Sequence, residues 1–244
     1  MVKARTSSRR IFIKIWQELR IIIRIQTTGR LILSMTKLER ARIVGKELQR
    51  CFPNPAVPLD GENEFTFLVA VILSAQCTDK RVNETTPALF KLADTPSKMV
   101  ALGEEKIAEI IRPCGFFNSK AKNIVRTSEI LCQKYGGKIP RTFKELEALP
   151  GVGHKTASVM MIQVFGIPAF PVDTHIHRLS KRWKLSDGSS VEKTEADLKK
   201  LFPKDKWAQL HLQFIYYGRK FCKAHTCKTA ETMCPLCREL RLKK

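Results

Sequence analysis

Apolar residues recur at helical spacing at Leu38, Ala41, Val44 and Leu48, which places them on one face of a helix that has to end before Pro53. The next apolar block, Phe67 to Ala75, has no polar face and reads as a central helix buried on every side. Between such blocks the punctuation is that of helix ends. Thr95 followed by Pro96 suits an N-cap and a first helical residue, with Gly103 as the stop. Gly136 and Gly137 close another helix, and Thr142 with Glu145 makes a capping-box pattern ahead of Leu146. Alternation with period two is almost absent. The pattern predicts an all-α protein of roughly ten short helices, without internal repeats or low-complexity linkers.

With 244 residues and 43% hydrophobic content the chain suffices for one large domain or two modest ones, whose core needs neither metal nor disulfide to fold. The longest apolar run, Phe67 to Ala75, is far too short to span a bilayer, so a soluble protein with no membrane partner is expected. Charge changes the picture more. Forty-four Lys and Arg stand against 23 Asp and Glu, a formal +21, and such a balance calls for a polyanionic partner. The basic residues are spread along the chain instead of lining one amphipathic helix, which favours nucleic acid over a membrane surface. Residues 1–34 differ from the rest: eight Lys and Arg against the single acid Glu18 give +7 there, leaving +14 beyond. That segment fits a mitochondrial-type transit peptide, a basic DNA-binding arm, or upstream sequence ahead of a start at Met35. The last is preferred because the amphipathic pattern begins just after Met35.

The eight cysteines fall into two groups. Cys51, Cys77, Cys114 and Cys132 are single, widely spaced and set among apolar residues, as buried reduced thiols are. Cys222, Cys227, Cys234 and Cys237 crowd into the tail, and without a secretory signal or disulfide framework they read as metal or cluster ligands in a reducing compartment. His175 and His177, two positions apart on a helix, face different sides and make a poor joint metal site.

The stretch Leu149-Pro150-Gly151-Val152-Gly153-His154-Lys155-Thr156-Ala157 lies between two helical patterns. Gly151 and Gly153 let the backbone approach a partner closely, and the helix that follows aims free N–H groups the same way, which suits a phosphate. This is the pattern of a helix-hairpin-helix element, a sequence-independent reader of the DNA backbone; a plain αα turn with glycine caps is the alternative. Lys120, Lys122, Arg126 and Lys181 are further candidates for phosphate contacts.

LPGVGHKTA, followed by Pro171-Val172-Asp173-Thr174-His175-Ile176-His177-Arg178, resembles the signature of the endonuclease III family. The match extends through Leu73-Ser74-Ala75-Gln76-Cys77-Thr78-Asp79 and Gly115-Phe116-Phe117-Asn118-Ser119-Lys120-Ala121, and covers roughly residues 36 to 237. The resemblance implies a two-domain helix-hairpin-helix glycosylase fold with a DNA cleft between its domains. A six-helix barrel would span about 56–167, with 36–55 and 168–244 forming the second helical domain and its cysteine-cluster loop. It also implies a base-flipping DNA glycosylase and AP lyase of base excision repair, because the glycosidic carbon of a stacked nucleotide is out of reach of any side chain. The implied partner is double-stranded DNA carrying an oxidised pyrimidine or an abasic site. The protein would act as a monomer, in the bacterial cytoplasm or else in a mitochondrion or nucleus.

In that family setting Lys155 is the nucleophile. An amine can displace the base at the sugar C1′ and leave an imine, which acidifies the C2′ proton and permits β-elimination of the 3′ phosphate. Desolvation and nearby cations would lower its pKa so that part of it is neutral. The alternative is a lysine that only neutralises phosphate. Asp173 resembles the catalytic aspartate that stabilises the cationic sugar, though Asp173-Thr174 also reads as an ordinary N-cap. Gln76 would enter the space left by the flipped nucleotide and Phe116 would be the wedge opposite. Each has a structural alternative, a local backbone bond for Gln76 and a core position for Phe116. The tail resembles the family's [4Fe-4S] loop but departs from its C-x6-C-x2-C-x5-C spacing. Cys222, Cys234 and Cys237 match by context, the last ligand position falls near Lys243, and Cys227 would have to supply the fourth bond. A four-cysteine zinc site is the main rival, and a metal-free tail a further alternative. Competing activities are adenine-mismatch or oxidised-purine excision on the same scaffold, and a non-catalytic DNA-binding module; Lys155, the cysteine tail, Asp173 and Gln76 argue against them.

Overall fold

A computed structural model describes residues 35–225, 227 and 231–240. The basic segment 1–34 and the position of Lys243 lie outside the described residues. Among the described residues there are twelve α-helices, two short 3-10 turns and no strand.

The chain begins with α1 (Lys37–Cys51), where Thr36 and Glu39 form a reciprocal capping box and Ala41, Val44 and Leu48 are buried. It stops short of Pro53, as the pattern predicts. Next comes α2 (Glu64–Leu73), capped by Asn63 and buried at every position from Phe65 to Leu73. Thr78 caps α3 (Asp79–Leu92). Thr95 accepts from the Lys98 N–H to cap α4 (Pro96–Leu102), and Gly103 at φ 79° turns the chain into α5 (Glu104–Ile110). The long α6 (Phe117–Tyr135) ends on Gly136 in the left-handed region, at φ 58°. Then follow α7 (Phe143–Glu147), α8 (His154–Gln163), α9 (Thr174–Arg182), α10 (Val191–Leu201), α11 (Trp207–Lys220) and α12 (Pro235–Glu239).

These helices close around two cores. One consists of residues between Phe65 and Ala169, with α2 at its centre. The other combines Ala41, Val44 and Leu48 of α1 with residues from Phe170 to Leu240. Trp183 lies at the middle of the second core, its ring 5.3 Å from Phe214 and 5.5 Å from Tyr217, with all three fully buried. Truncating one such aromatic to alanine costs about 3–5 kcal/mol. The chain thus leaves the second core after α1, builds the first, and returns.

Three expectations need correction. Twelve helices form where about ten are expected, because α5, α7 and α12 have seven residues or fewer and show no readable period. Of the four scattered cysteines only Cys114 is buried; Cys51, Cys77 and Cys132 are half-buried. Lys120 is no phosphate contact: it is buried, and its ammonium donates to the carbonyls of Leu73 and Cys114 at 2.8 and 3.0 Å.

Candidate active site and cysteine centre

The turn between α7 and α8 is the predicted hairpin. Gly151 has φ 77°, which favours glycine, and a Cβ there would stand 3.2 Å from the Asn123 side chain and 3.4 Å from Ile72, close enough that Asn123 would have to give by a few tenths of an ångström. Gly153 differs. Its φ is −90°, and an added Cβ would meet no protein atom, so the missing side chain leaves outer space open. Gly153 also N-caps α8 without a side-chain acceptor, leaving the first N–H groups of the helix for an external anion. The turn is pinned by Thr127, whose hydroxyl donates to the Pro150 carbonyl at 2.9 Å, and by the Val152 N–H on the Leu149 carbonyl at 3.1 Å.

Lys155, in the first turn of α8, lines a cleft between the two cores together with Ser74, Asp79, Asp173, His211 and Arg219. It remains reachable from solvent, yet the protein around its amine pushes its pKa down. Desolvation is the largest cause; Asp173 and Asp79 pull the value back up, and Arg219 adds to the lowering. A reachable amine with a depressed pKa is equipped for nucleophilic attack. Asp173 caps α9, its Oδ1 accepting from the Ile176 N–H at 2.8 Å. The N-cap reading of Asp173 therefore holds, and the same residue lines the Lys155 cleft.

Two further features of the cleft have no local sequence signal. His211 is buried, and its Nδ1 lies 2.9 Å from the Pro171 carbonyl, which can only accept, so Nδ1 carries the proton. Burial first, then the charge of Lys155, push its pKa down to about 4, so the imidazole is neutral at pH 7. Arg219 of α11 pairs with Asp79 of α3 at 2.7 Å, joining the two cores across the cleft. Only the place of Asp79 at the end of the Leu73 to Asp79 stretch hints at it.

Gln76 and Phe116 stand outside this lining. Gln76 is exposed with φ 53°; Phe116 has φ 47° and is 66% exposed, so it is not a core residue. Non-glycine residues held in the left-handed region cost about 1–3 kcal/mol each, and they cluster at functional sites. His175 and His177 part company: His175 lies 3.3 Å from Arg178, and His177 faces the Thr194 hydroxyl at 3.0 Å. Lys122, Arg126 and Lys181 are exposed.

Cys222, Cys227, Cys234 and Cys237 converge, their four sulfurs all within 4.8 Å of one another. Cys227 reaches the group from a left-handed backbone at φ 58°, and its sulfur accepts from the Cys234 N–H at 3.2 Å. Arg182, at the end of α9, donates to the Cys222 sulfur at 3.0 Å and to the carbonyls of Lys223 and Ala224. Four thiols so gathered, with donors on two of them, are a donor set for a thiophilic metal centre.

Residues 69–204 match the HhH-GPD superfamily of base excision DNA repair proteins. The chain is 40% identical over 213 residues to endonuclease III of Bacillus subtilis, covering 84% of this chain and 94% of that protein. It is similar to the protein in the structure of a non-covalent endonuclease III–DNA complex, with a TM-score of 0.77 and 38% identity over 86% of this chain and all of the other. The same values hold for a trapped endonuclease III–DNA covalent intermediate, an estranged-adenine complex. The chain belongs to the endonuclease III family of HhH-GPD base excision repair proteins.

Proposed function

We propose that this DNA glycosylase and AP lyase of base excision repair works through Lys155 as nucleophile, with Asp173 beside it, on a nucleotide flipped into the cleft between the two cores. The observation that carries the reading is the reachable, desolvated amine of Lys155 in the Asp173 cleft, at the first turn of a hairpin helix.

In this reading the uncapped N-terminus of α8 and the open space at Gly153 receive a backbone phosphate, while Gly151 holds the turn. The neutral amine attacks C1′ and the base departs with the bonding electron pair, which a proton then quenches. The sugar ring then opens as the C1′–O4′ bond breaks, O4′ taking up a proton shed by the nitrogen, and the protonated imine left at C1′ acidifies the C2′ proton. Loss of that proton expels the 3′ phosphate and cuts the strand. Asp173 stabilises the positive sugar while the base leaves. Gln76 and Phe116 fill the gap in the duplex, a role supported by their exposure and unusual backbone. The two cores support a division into a barrel over 56–167 and a second domain of 36–55 with 168–244.

The substrate class carried over from the family is an oxidised or ring-saturated pyrimidine, and the protein acts as a monomer on chromosomal DNA in the cytoplasm. Among the described residues no helix is long and apolar enough to cross a membrane. For the metal centre, four thiols are the donor chemistry of a [4Fe-4S] cluster, which the family loop implies, and equally of a single zinc ion.

Borohydride reduction on an abasic duplex tests the reading, because only an imine is captured. Wild-type protein is expected to be trapped. Lys155→Ala should still bind the duplex but lose trapping and strand cleavage, with a rate drop on the order of a thousandfold or more. Trapping of Lys155→Ala at wild-type yield removes Lys155 from the mechanism.

A further inference from the structure

The cysteine cage is too small for the cluster its family loop implies. In a regular tetrahedron of thiolates about one ion, with metal–sulfur bonds of about 2.3 Å, the sulfurs stand about 3.8 Å apart. In a four-iron cluster each thiolate binds its own iron, so with bonds of the same length the thiolate tetrahedron is wider by one iron–iron edge. Here Cys222 lies 3.6 Å from Cys227 and 3.9 Å from Cys237, and no pair of the four exceeds 4.8 Å. Even the widest pair leaves only about 1 Å for an iron–iron edge, shorter than a carbon–carbon bond. The separations instead bracket the single-ion value.

The spacing points the same way. In Cys222-x4-Cys227-x6-Cys234-x2-Cys237 the run from Cys227 to Cys237 keeps the first three positions of the family's C-x6-C-x2-C-x5-C spacing, the last falls at Lys243, and Cys222 has to supply the fourth sulfur from ahead of the loop. Cys227 takes a strained left-handed backbone to bring its sulfur into the cage. Its sulfur and that of Cys222 are already served by donors, the Cys234 N–H and the Arg182 guanidinium, as anionic ligand sulfurs are. We propose that this tail binds one tetrahedral zinc ion through Cys222, Cys227, Cys234 and Cys237. The zinc is structural, with all four positions filled by protein.

The test is metal and acid-labile sulfide analysis of the full chain, expressed in medium supplemented with both iron and zinc and purified without oxygen. One zinc per chain, no labile sulfide and no visible iron–sulfur absorption are expected, and cobalt(II) exchanged for the zinc should show the ligand-field bands of a tetrahedral tetrathiolate ion. Four irons with four sulfides, a single iron, or metal-free protein overturns the proposal. Cys227→Ser should lose zinc to a chelator at least about tenfold faster, a change worth about 1.4 kcal/mol. Loss at the wild-type rate removes Cys227 from the ligand set.

A separate inference concerns Lys120. It lies on α6, 6% exposed, and its ammonium bridges the carbonyls of Leu73 and Cys114. Leu73 ends α2 three residues before Gln76, and Cys114 stands two residues before Phe116. Both of those residues hold left-handed backbones. We infer that Lys120 is a positioning residue that sets the separation of the two side chains proposed to enter the duplex, and this rests on that reading of Gln76 and Phe116. Lys120→Met keeps the length and removes the donors. With 2-aminopurine opposite an abasic site, its binding-induced fluorescence rise should fall at least about threefold, measured well below the melting temperature, with partial recovery in Lys120→Arg. If Gln76→Ala and Phe116→Ala lower the signal while Lys120→Met does not, the brace is wrong. If none of them changes it, the insertion reading has failed and this inference with it.

Discussion

Arg182 donates to the sulfur of Cys222 at 3.0 Å, so the helix whose first turn is capped by Asp173 ends on the cysteine centre. Arg178, one turn earlier, adds a bond to the Cys222 carbonyl, also at 3.0 Å. The cysteine loop and the cleft thus share one helix, α9. Replacing Arg182 with Met removes three donated bonds, charged ones of this kind contributing about 1.5–3 kcal/mol each. Metal release to a chelator should accelerate by at least about tenfold. Release at the wild-type rate would mean that the loop holds its metal unaided.

Asp173→Asn separates capping from the negative charge that the proposed mechanism needs. Asparagine caps a helix about as well as aspartate, so the melting temperature should move by less than about 2 °C. Base excision should fall at least about a hundredfold, since the charge beside the developing cation is gone. A large fall in stability with activity lost in proportion would reduce Asp173 to a cap.

His154 predicts a pH dependence. Its ring nitrogens face Glu147 at 2.7 Å and Glu195 at 3.0 Å, and Glu195 also pairs with Lys199. Desolvation pushes the His154 pKa down, but the two carboxylates outweigh it and the net shift is upward from 6.5. A folded value above the unfolded one gives stability that is fully present below pH 6.5 and lost as pH rises through the raised value. The melting temperature of wild type should therefore exceed that of His154→Gln by more at pH 6 than at pH 9. A gap independent of pH would show that the bridge works without charge.

Phe116→Gly should leave the fold as stable as before or slightly more so, because glycine relieves a left-handed backbone worth about 1 kcal/mol. Affinity for an abasic duplex should drop about tenfold, the lower end of what base–aromatic stacking contributes, about 1–3 kcal/mol. A fall in melting temperature with unchanged affinity would make Phe116 structural despite its exposure.

Helix ends were the most legible part of this sequence. Thr95, Thr142 and Gly136 act where local chemistry places them, since a cap needs only residues three or four positions away. The hairpin was legible for the same reason, and so was Asp173 as the cap of α9. The ion pair of Asp79 with Arg219, the buried imidazole of His211 and the burial of Lys120 were not legible. Each depends on a partner dozens of residues or more away, brought near only by the packing of two cores. Lys120 in particular looks like any surface lysine until the carbonyls that end α2 and precede Phe116 are in place around it.

The division of the cores also orders events during synthesis. The buried residues of the first core have all emerged by Ala169, with only the partly buried Ala208 added later, whereas the second core needs α1 together with residues as late as Leu240. Because domains fold as units and the earlier one folds first on the ribosome, the α8 turn with Lys155 takes shape while α1 still lacks most of its partners. Until α10 and α11 arrive, α1 carries the apolar face of Ala41, Val44 and Leu48 uncovered. A nascent chain stalled ahead of α10 and α11 therefore presents a finished hairpin tethered to an unpaired sticky helix, a form open to chaperones and proteases.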